Sequence, residues 1–237
     1  MRDFKIKIYA DGADMDTMRG MNTLGYVAGF TTNPSLCRKA GIRDYMAFCR
    51  KIVTEFKDKP ISLEVINDTK EKMELEAKKL ASLGSNIYVK IPIVNYMGES
   101  SYEIIGRLSA SGVQVNVTAV FTIEQAKNAM DALSDATPSI ISIFAGRIAD
   151  TGRNASNIVR NAVGLCSERK NIEILWASCR EVYNIVEAEE SGAHIITVTE
   201  DIMRRLNLLD KDLNEFSRET ALMFHNDALA CGLSVHG

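Results

Sequence analysis

Short runs of apolar, mostly β-branched residues recur along the chain, each followed by a longer stretch whose apolar positions return every three or four residues. The runs predict strands at Lys5–Ala10, Tyr26–Phe30, Ile61–Ile66, Asn86–Ile93, Val113–Val117, Ser139–Phe144, Ile172–Ala177 and His194–Val198. Helix signals fall between them. Pro34 and Ser35 suit the first turn of a helix after the second strand. Asp68–Leu83 puts Met73, Ala77, Leu80 and Ala81 on one face and stops at Gly84. Thr122 and Gln125 form a capping box ahead of Ile123, Ala126, Met130 and Leu133 at helical spacing. Val182, Ile185 and Val186 mark a helix that stops near Gly192.

Eight strand–helix units with no break in composition predict one α/β domain over residues 1–237, a single (β/α)8 TIM barrel. A doubly wound open sheet is the alternative, and no dinucleotide fingerprint supports it. Residues 205–237 read as a C-terminal helical extension, with one or two helices across Leu208–Leu229. Leu213, Phe216, Met223 and Phe224 are left over once the barrel is complete, which predicts packing on a neighbouring subunit.

Composition narrows the field. A chain of 237 residues with 46% hydrophobic and 25% charged residues has ample material for a core. A net charge of -3 with no basic stripe argues against nucleic acid as a partner. The five cysteines are scattered without a C-x-x-C pair, so free thiols in a reducing compartment are expected rather than disulfides. His194, His225 and His236 lack metal-ligand spacing, and no metal is expected. The start, Met1 to Lys5, carries no signal peptide, and no apolar run reaches the roughly 18 residues of a membrane span. The expected location is cytoplasmic.

The fourth strand, Asn86-Ile87-Tyr88-Val89-Lys90-Ile91-Pro92-Ile93, carries a lysine within an apolar run. Such a residue lies at an edge, pairs with a carboxylate, or serves as a nucleophile, since burial disfavours an amine's charged form. Other strand ends carry Asp11, Asn33, Glu64, Asn116, Thr118, Ser142, Arg147, Ser178 and Arg180. Catalytic groups of such a barrel sit at those carboxyl ends. Alternation places Glu64 with Ser62, Asn116 with Thr118, Ser142 with Phe144, and Lys90 with Tyr88. Each has an ordinary use as well: Asp11 and Asn33 as turn or cap residues, Glu64 as an ion-pair partner of Lys90, Asn116 and Thr118 as caps. Converging on one apolar bundle, they cost free energy unless they serve each other or a ligand. Arg147, Ser178 and Arg180 suit a tetrahedral anion. A lysine and carboxylates beside such an anion site point to carbonyl chemistry on a phosphorylated molecule.

Asp11-Gly12-Ala13-Asp14, Gly29-Phe30-Thr31-Thr32-Asn33-Pro34-Ser35, Val89-Lys90-Ile91-Pro92, Val115-Asn116-Val117-Thr118, Phe144-Ala145-Gly146-Arg147-Ile148 and Ala177-Ser178-Cys179-Arg180 together resemble the transaldolases, in order over nearly the whole chain. The length is similar to that of the short members related to fructose-6-phosphate aldolases. The resemblance implies Lys90 as the Schiff-base lysine, Asp11 as general acid/base, and Glu64 and Thr118 as holders of a proton-relaying water. It implies Asn33, Asn116 and Ser142 on the hydroxyls of the bound three-carbon unit, and Arg147, Ser178 and Arg180 on phosphate. It further implies sugar-phosphate substrates, no cofactor, and a homo-oligomer, a pentamer or decamer, built through the C-terminal helix. The aldolases usually carry Gln in place of Glu64 and Tyr in place of Phe144, so both positions favour transfer of a dihydroxyacetone unit over its release. An aldolase-type lyase, a transaldolase for a modified (for example sulfonated) sugar, and a non-catalytic sugar-phosphate-binding barrel stay open. Two stretches depart from the family pattern. The loop Val94–Ser100 is unusual, and Trp176 stands where a small residue is common. By alternation Trp176 shares a face with Ser178 and is expected to fill part of the cavity, altering acceptor or donor choice.

Overall fold

The computed structural model describes residues 4–234, so the readings made on Met1–Asp3, on His236 and on the end of the C-terminal extension lie outside the described residues. Eight strands, β1 (Lys7–Asp11), β2 (Val27–Thr31), β3 (Ile61–Glu64), β4 (Ile87–Pro92), β5 (Val115–Val120), β6 (Ser139–Ile143), β7 (Ile172–Trp176) and β8 (Ile195–Thr199), follow one another around a closed barrel. Every pairing is parallel, including the closing one between β1 and β8. This is a (β/α)8 TIM barrel, and closure rules out the open sheet.

The helices are α1 (Met15–Asn22), α2 (Pro34–Lys39), α3 (Tyr45–Glu55), α4 (Lys70–Ala81), α5 (Tyr102–Ala110), α6 (Ile123–Ala132), α7 (Ala145–Ala149), α8 (Ala155–Leu165), α9 (Tyr183–Glu190), α10 (Glu200–Met203) and α11 (Leu213–Ala230). They bury their apolar stripes on the outside of the barrel: Met73, Ala77 and Leu80 of α4 and Ala126, Ala129 and Met130 of α6 are all buried. The capping box of α6 is formed, with Thr122 Oγ1 accepting from Gln125 N and Gln125 Oε1 accepting from Thr122 N, each at 3.1 Å. Val89 and Ile91 of β4 join the layer beneath the helices, and each such side chain contributes about 1.5–3 kcal/mol. Tyr9, Ile140, Leu175 and Ile195, from four strands, form a separate cluster that fills the barrel interior, with Tyr88 packed against it.

Some boundaries shift. β1 and β2 end at Asp11 and Thr31, a residue later than the hydrophobic pattern stops, because polar residues continue the ladder. β5 continues to Val120 through an irregularity at Ala119, whose φ is 57°. Two connections hold two helices each. Gly41, with φ of 72°, ends α2 before Asp44 caps α3, and Gly152, with φ of 78°, separates α7 from α8, which Asn154 caps.

All five cysteines are free. After α10 a 3-10 turn (Arg204–Leu208) leads to α11, which has no buried residue and exposes Leu213, Phe224 and Leu229 by 79%, 63% and 67%. Among the described residues no helix is long and apolar enough to cross a membrane.

Candidate active site

A cavity of about 460 Å³ opens at the carboxyl ends of the strands. Asp11, Asn33, Glu64, Lys90, Asn116, Thr118, Ser142, Phe144, Arg147, Ser178 and Arg180 all line it. A shallower hollow of about 520 Å³ lies between α1 and residues 200–207 and gathers none of these side chains.

Parallel register does most of the gathering. Glu64 stands beside Lys90, and Lys90 beside Asn116, on three neighbouring strands. Lys90 Nζ lies 2.9 Å from Glu64 Oε2 and donates to the Thr32 carbonyl at 2.8 Å. The lysine side chain is 8% exposed, so these two partners take the place of bulk water around its Nζ. Deeper in, Ser142 Oγ donates to Asn116 Oδ1 at 2.6 Å, and Asn116 Nδ2 donates to Ser62 Oγ at 3.0 Å. The chain of amide and hydroxyls is thereby oriented before any ligand arrives. Thr118 Oγ1 is buried with no protein partner, which leaves a hydroxyl for water or substrate.

Asp11 takes a bond from Thr31 Oγ1 at 2.7 Å, and Thr31 Oγ1 also meets Thr197 Oγ1. Thr31 has one hydroxyl proton and gives it to Asp11, so Thr197 is the donor in the second contact. Burial raises the Asp11 pKa above the ordinary carboxylate value; Lys90 and the Thr31 bond oppose the rise, and Glu64 adds to it. A carboxyl whose proton is held more firmly by burial, beside a lysine, has the character of a group that can take and return a proton. Asn33 serves two ends at once, since it lines the cavity while its Oδ1 caps α2 through Leu36 N at 3.0 Å.

The rim is built from the loops after β6 and β7. A Cβ at Gly146 would lie 1.6 Å from the Ser178 carbonyl oxygen, so only glycine lets α7 start against that loop. Ser178 itself turns with φ of 65°. Arg147 and Arg180 both reach solvent, Arg147 Cζ lying 5.3 Å from the Phe144 ring centroid and Arg180 Nη2 2.6 Å from Asp150 Oδ2. An exposed pair of this kind is worth about 0–1 kcal/mol, so Asp150 holds the Arg180 guanidinium only weakly.

Trp176 is a correction. It does not line the cavity; it is 1% exposed and packs in the layer between strands and helices, its Nε1 without a partner. The expected alternation with Ser178 fails because β7 ends at Trp176 and the chain turns through Ser178. Leu175 and Ala177 face the cavity instead. The loop Val94–Ser100 closes on itself through a bridge between those two residues, exposes Tyr96 and Met97, and supplies no residue to the cavity. The sequence reading missed Thr31, Thr32, Ser62 and Thr197. Of these, Ser62 was within reach, since alternation already put it on the face of Glu64. Among the described residues no group of three His, Cys, Asp or Glu side chains is placed to hold a metal ion.

Fold and cavity together define a (β/α)8 barrel with a buried lysine paired to a partly buried carboxylate beneath an arginine-bearing rim. A family model described as transaldolase/fructose-6-phosphate aldolase matches residues 8–234. A probable transaldolase of Thermoanaerobacter sp. (strain X514) is 34% identical over 218 residues, covering 90% of this chain and 96% of that protein. A probable transaldolase of Methanococcus maripaludis (strain C7) is 33% identical, with 89% and 95% covered. Among solved structures, one titled native KDPGal structure superposes with a TM-score of 0.57 at 14% identity over 98% of both chains, a likeness of fold alone. The chain belongs to the transaldolase/fructose-6-phosphate aldolase family, and is an enzyme of that kind.

Proposed function

We propose that the protein is a transaldolase that carries a dihydroxyacetone unit from a ketose phosphate, such as fructose 6-phosphate or sedoheptulose 7-phosphate, to an aldose phosphate. The observation that carries this reading is the Lys90–Glu64 pair, 2.9 Å apart within the cavity. Lys90 Nζ attacks the ketone carbon, a C–N bond forms, and loss of water leaves an iminium. Glu64 and Thr118 hold the water that relays protons in these steps. Asp11 then removes the hydroxyl proton of the departing aldehyde, the carbon–carbon bond breaks, and its electrons move toward the iminium nitrogen to give an enamine. Asn33, Asn116 and Ser142 hold the three-carbon unit, and Arg147, Ser178 and Arg180 take the phosphate. Attack of the enamine on an acceptor aldehyde reverses the sequence, and no metal or organic cofactor takes part.

Phe144 favours transfer over release, because its ring offers no hydroxyl to help water protonate the enamine. The competing lyase reading is separated by product analysis: free dihydroxyacetone accumulating from donor alone supports it. The uncovered apolar side chains of α11 support a homo-oligomer in which this helix packs on a neighbour, and a cytoplasmic location fits free thiols. The decisive experiment is borohydride trapping with fructose 6-phosphate followed by peptide mass mapping. A three-carbon adduct on Lys90 is expected, and no adduct under conditions that label a known transaldolase overturns the reading.

A further inference from the structure

The ladder between β2 and β3 breaks off in an informative way. Phe30 N donates to the Pro60 carbonyl at 2.9 Å and Thr32 N to the Ser62 carbonyl at 3.2 Å. Parallel pairing at this register would next take a bond from Glu64 N–H to the Thr32 carbonyl. That carbonyl instead accepts from Lys90 Nζ at 2.8 Å. The Glu64 N–H goes to the hydroxyl of Tyr45 at 3.0 Å, and the same hydroxyl donates to the Glu64 carbonyl at 2.8 Å. One phenol thus satisfies both backbone groups of the residue whose carboxylate holds Lys90.

We propose that Tyr45 is a positioning residue for the reacting lysine: by standing in for a strand on the Glu64 backbone, it releases the Thr32 carbonyl to hold the Lys90 amine. The placement is built from the sequence upward. Asp44 caps α3 through Ala47 N at 2.9 Å, which fixes Tyr45 at the first helical position. The Tyr45 ring stacks on Phe48 with centroids 6.4 Å apart, and the half-buried side chain packs against the core. Burial raises the hydroxyl's pKa, so it keeps the proton that it donates to the Glu64 carbonyl. Phenylalanine at this position would leave Glu64 N–H seeking the Thr32 carbonyl, in competition with Lys90.

This assignment rests on Lys90 as the Schiff-base residue, and its test separates the two. Borohydride trapping with fructose 6-phosphate is timed for the wild type, Tyr45→Phe, Glu64→Gln, the double variant, and Ile52→Val, a buried residue of the same helix two turns from Tyr45, as a packing control. Tyr45→Phe is expected to slow adduct formation on Lys90 by about 10- to 100-fold, since a small misplacement of a reacting atom has that effect. The donor KM should hold within about two-fold, because the phosphate is gripped by other loops. The Tyr45→Phe and Glu64→Gln losses should not multiply, as expected of residues acting through one another. Ile52→Val should lower Tm while trapping at the wild-type rate. Should Tyr45→Phe not fold, Asp44→Ala, which loosens the first turn of α3, reads the same geometry and should give a smaller slowing at unchanged KM. A wild type that gives no adduct overturns the Schiff-base reading and this assignment with it. A wild type that traps, beside a folded Tyr45→Phe that traps equally fast or an Ile52→Val that slows as much, overturns the Tyr45 assignment alone.

Discussion

The Arg147 guanidinium lies over the ring of Phe144, 5.3 Å from its centroid, and the two residues begin and fill the same short helix after β6. The contact ties a group proposed to bind phosphate to the ring that walls the lysine's cavity. Phe121 packs against the same ring, tilted, at 5.7 Å between centroids. A tyrosine at 144 can therefore keep the ring's place while adding a hydroxyl.

Phe144→Tyr is expected to release free dihydroxyacetone from fructose 6-phosphate alone about ten-fold faster than the wild type, a modest general-acid effect. Transfer to an acceptor should fall in step. Coupled assay of dihydroxyacetone with no acceptor present measures the first, and an unchanged release rate counts against Phe144 as the guard of the enamine.

Asp11→Asn separates activity from stability. Turnover should fall by about 10²–10⁴-fold, since the amide cannot take the aldehyde's proton, while its oxygen still accepts from Thr31. The stability sign follows from the raised Asp11 pKa. The folded state holds this proton more tightly than the unfolded one, so ionising Asp11 costs stability as pH rises from its ordinary value through the folded value. Asparagine escapes that cost. The variant's Tm relative to wild type should rise across that window and level off above it; a difference constant with pH shows that Asp11 ionises as freely folded as unfolded.

Breaking the lysine pair and removing it whole should differ. Lys90→Met alone leaves Glu64 facing apolar atoms and is expected to cost about 1–3 kcal/mol, at the lower end because Glu64 keeps some solvent access. Adding Glu64→Gln should recover much of the loss. Urea melts of the two variants measure this, and equal losses mean that the pair is not coupled. Both variants should be inactive.

Trp176→Ala is expected to act on stability rather than on choice of substrate. The cavity left between sheet and helices should cost about 3–5 kcal/mol. The order of preference among aldehyde acceptors should stay the same, since the indole never reaches the substrate cavity. A reordered preference in a folded variant would show that Trp176 shapes the site through Leu175 and Ala177.

Residues on straight strands were the ones that a period of two could place. Glu64, Lys90, Asn116 and Ser142 each face inward from a regular stretch, so alternation sufficed to put them together. Trp176 was misassigned where that regularity ends, one residue before the chain turns through Ala177 and Ser178. Thr31 and Thr197 look like ordinary strand threonines, and only barrel closure brings β8 beside β1 and makes them a chain leading to Asp11. Tyr45 lay further out of reach. It sits on a helix, and its role depends on a carbonyl that another residue has taken. The split of α2 from α3 was readable after the fact in Gly41 and Asp44, punctuation that a search for apolar spacing passes over.

The missing side chain of Gly146 has one more consequence. With the Ser178 carbonyl seated where a methyl group would be, the loops after β6 and β7 cannot drift apart or be rebuilt singly. Lengthening either one would unseat the other, and with it the spacing of Arg147 and Arg180. Refitting this rim to a differently shaped anion would therefore mean exchanging side chains such as Arg147, Ser178 and Arg180 on a fixed frame, while loops that this contact does not join, such as Val94–Ser100, could change length without disturbing it.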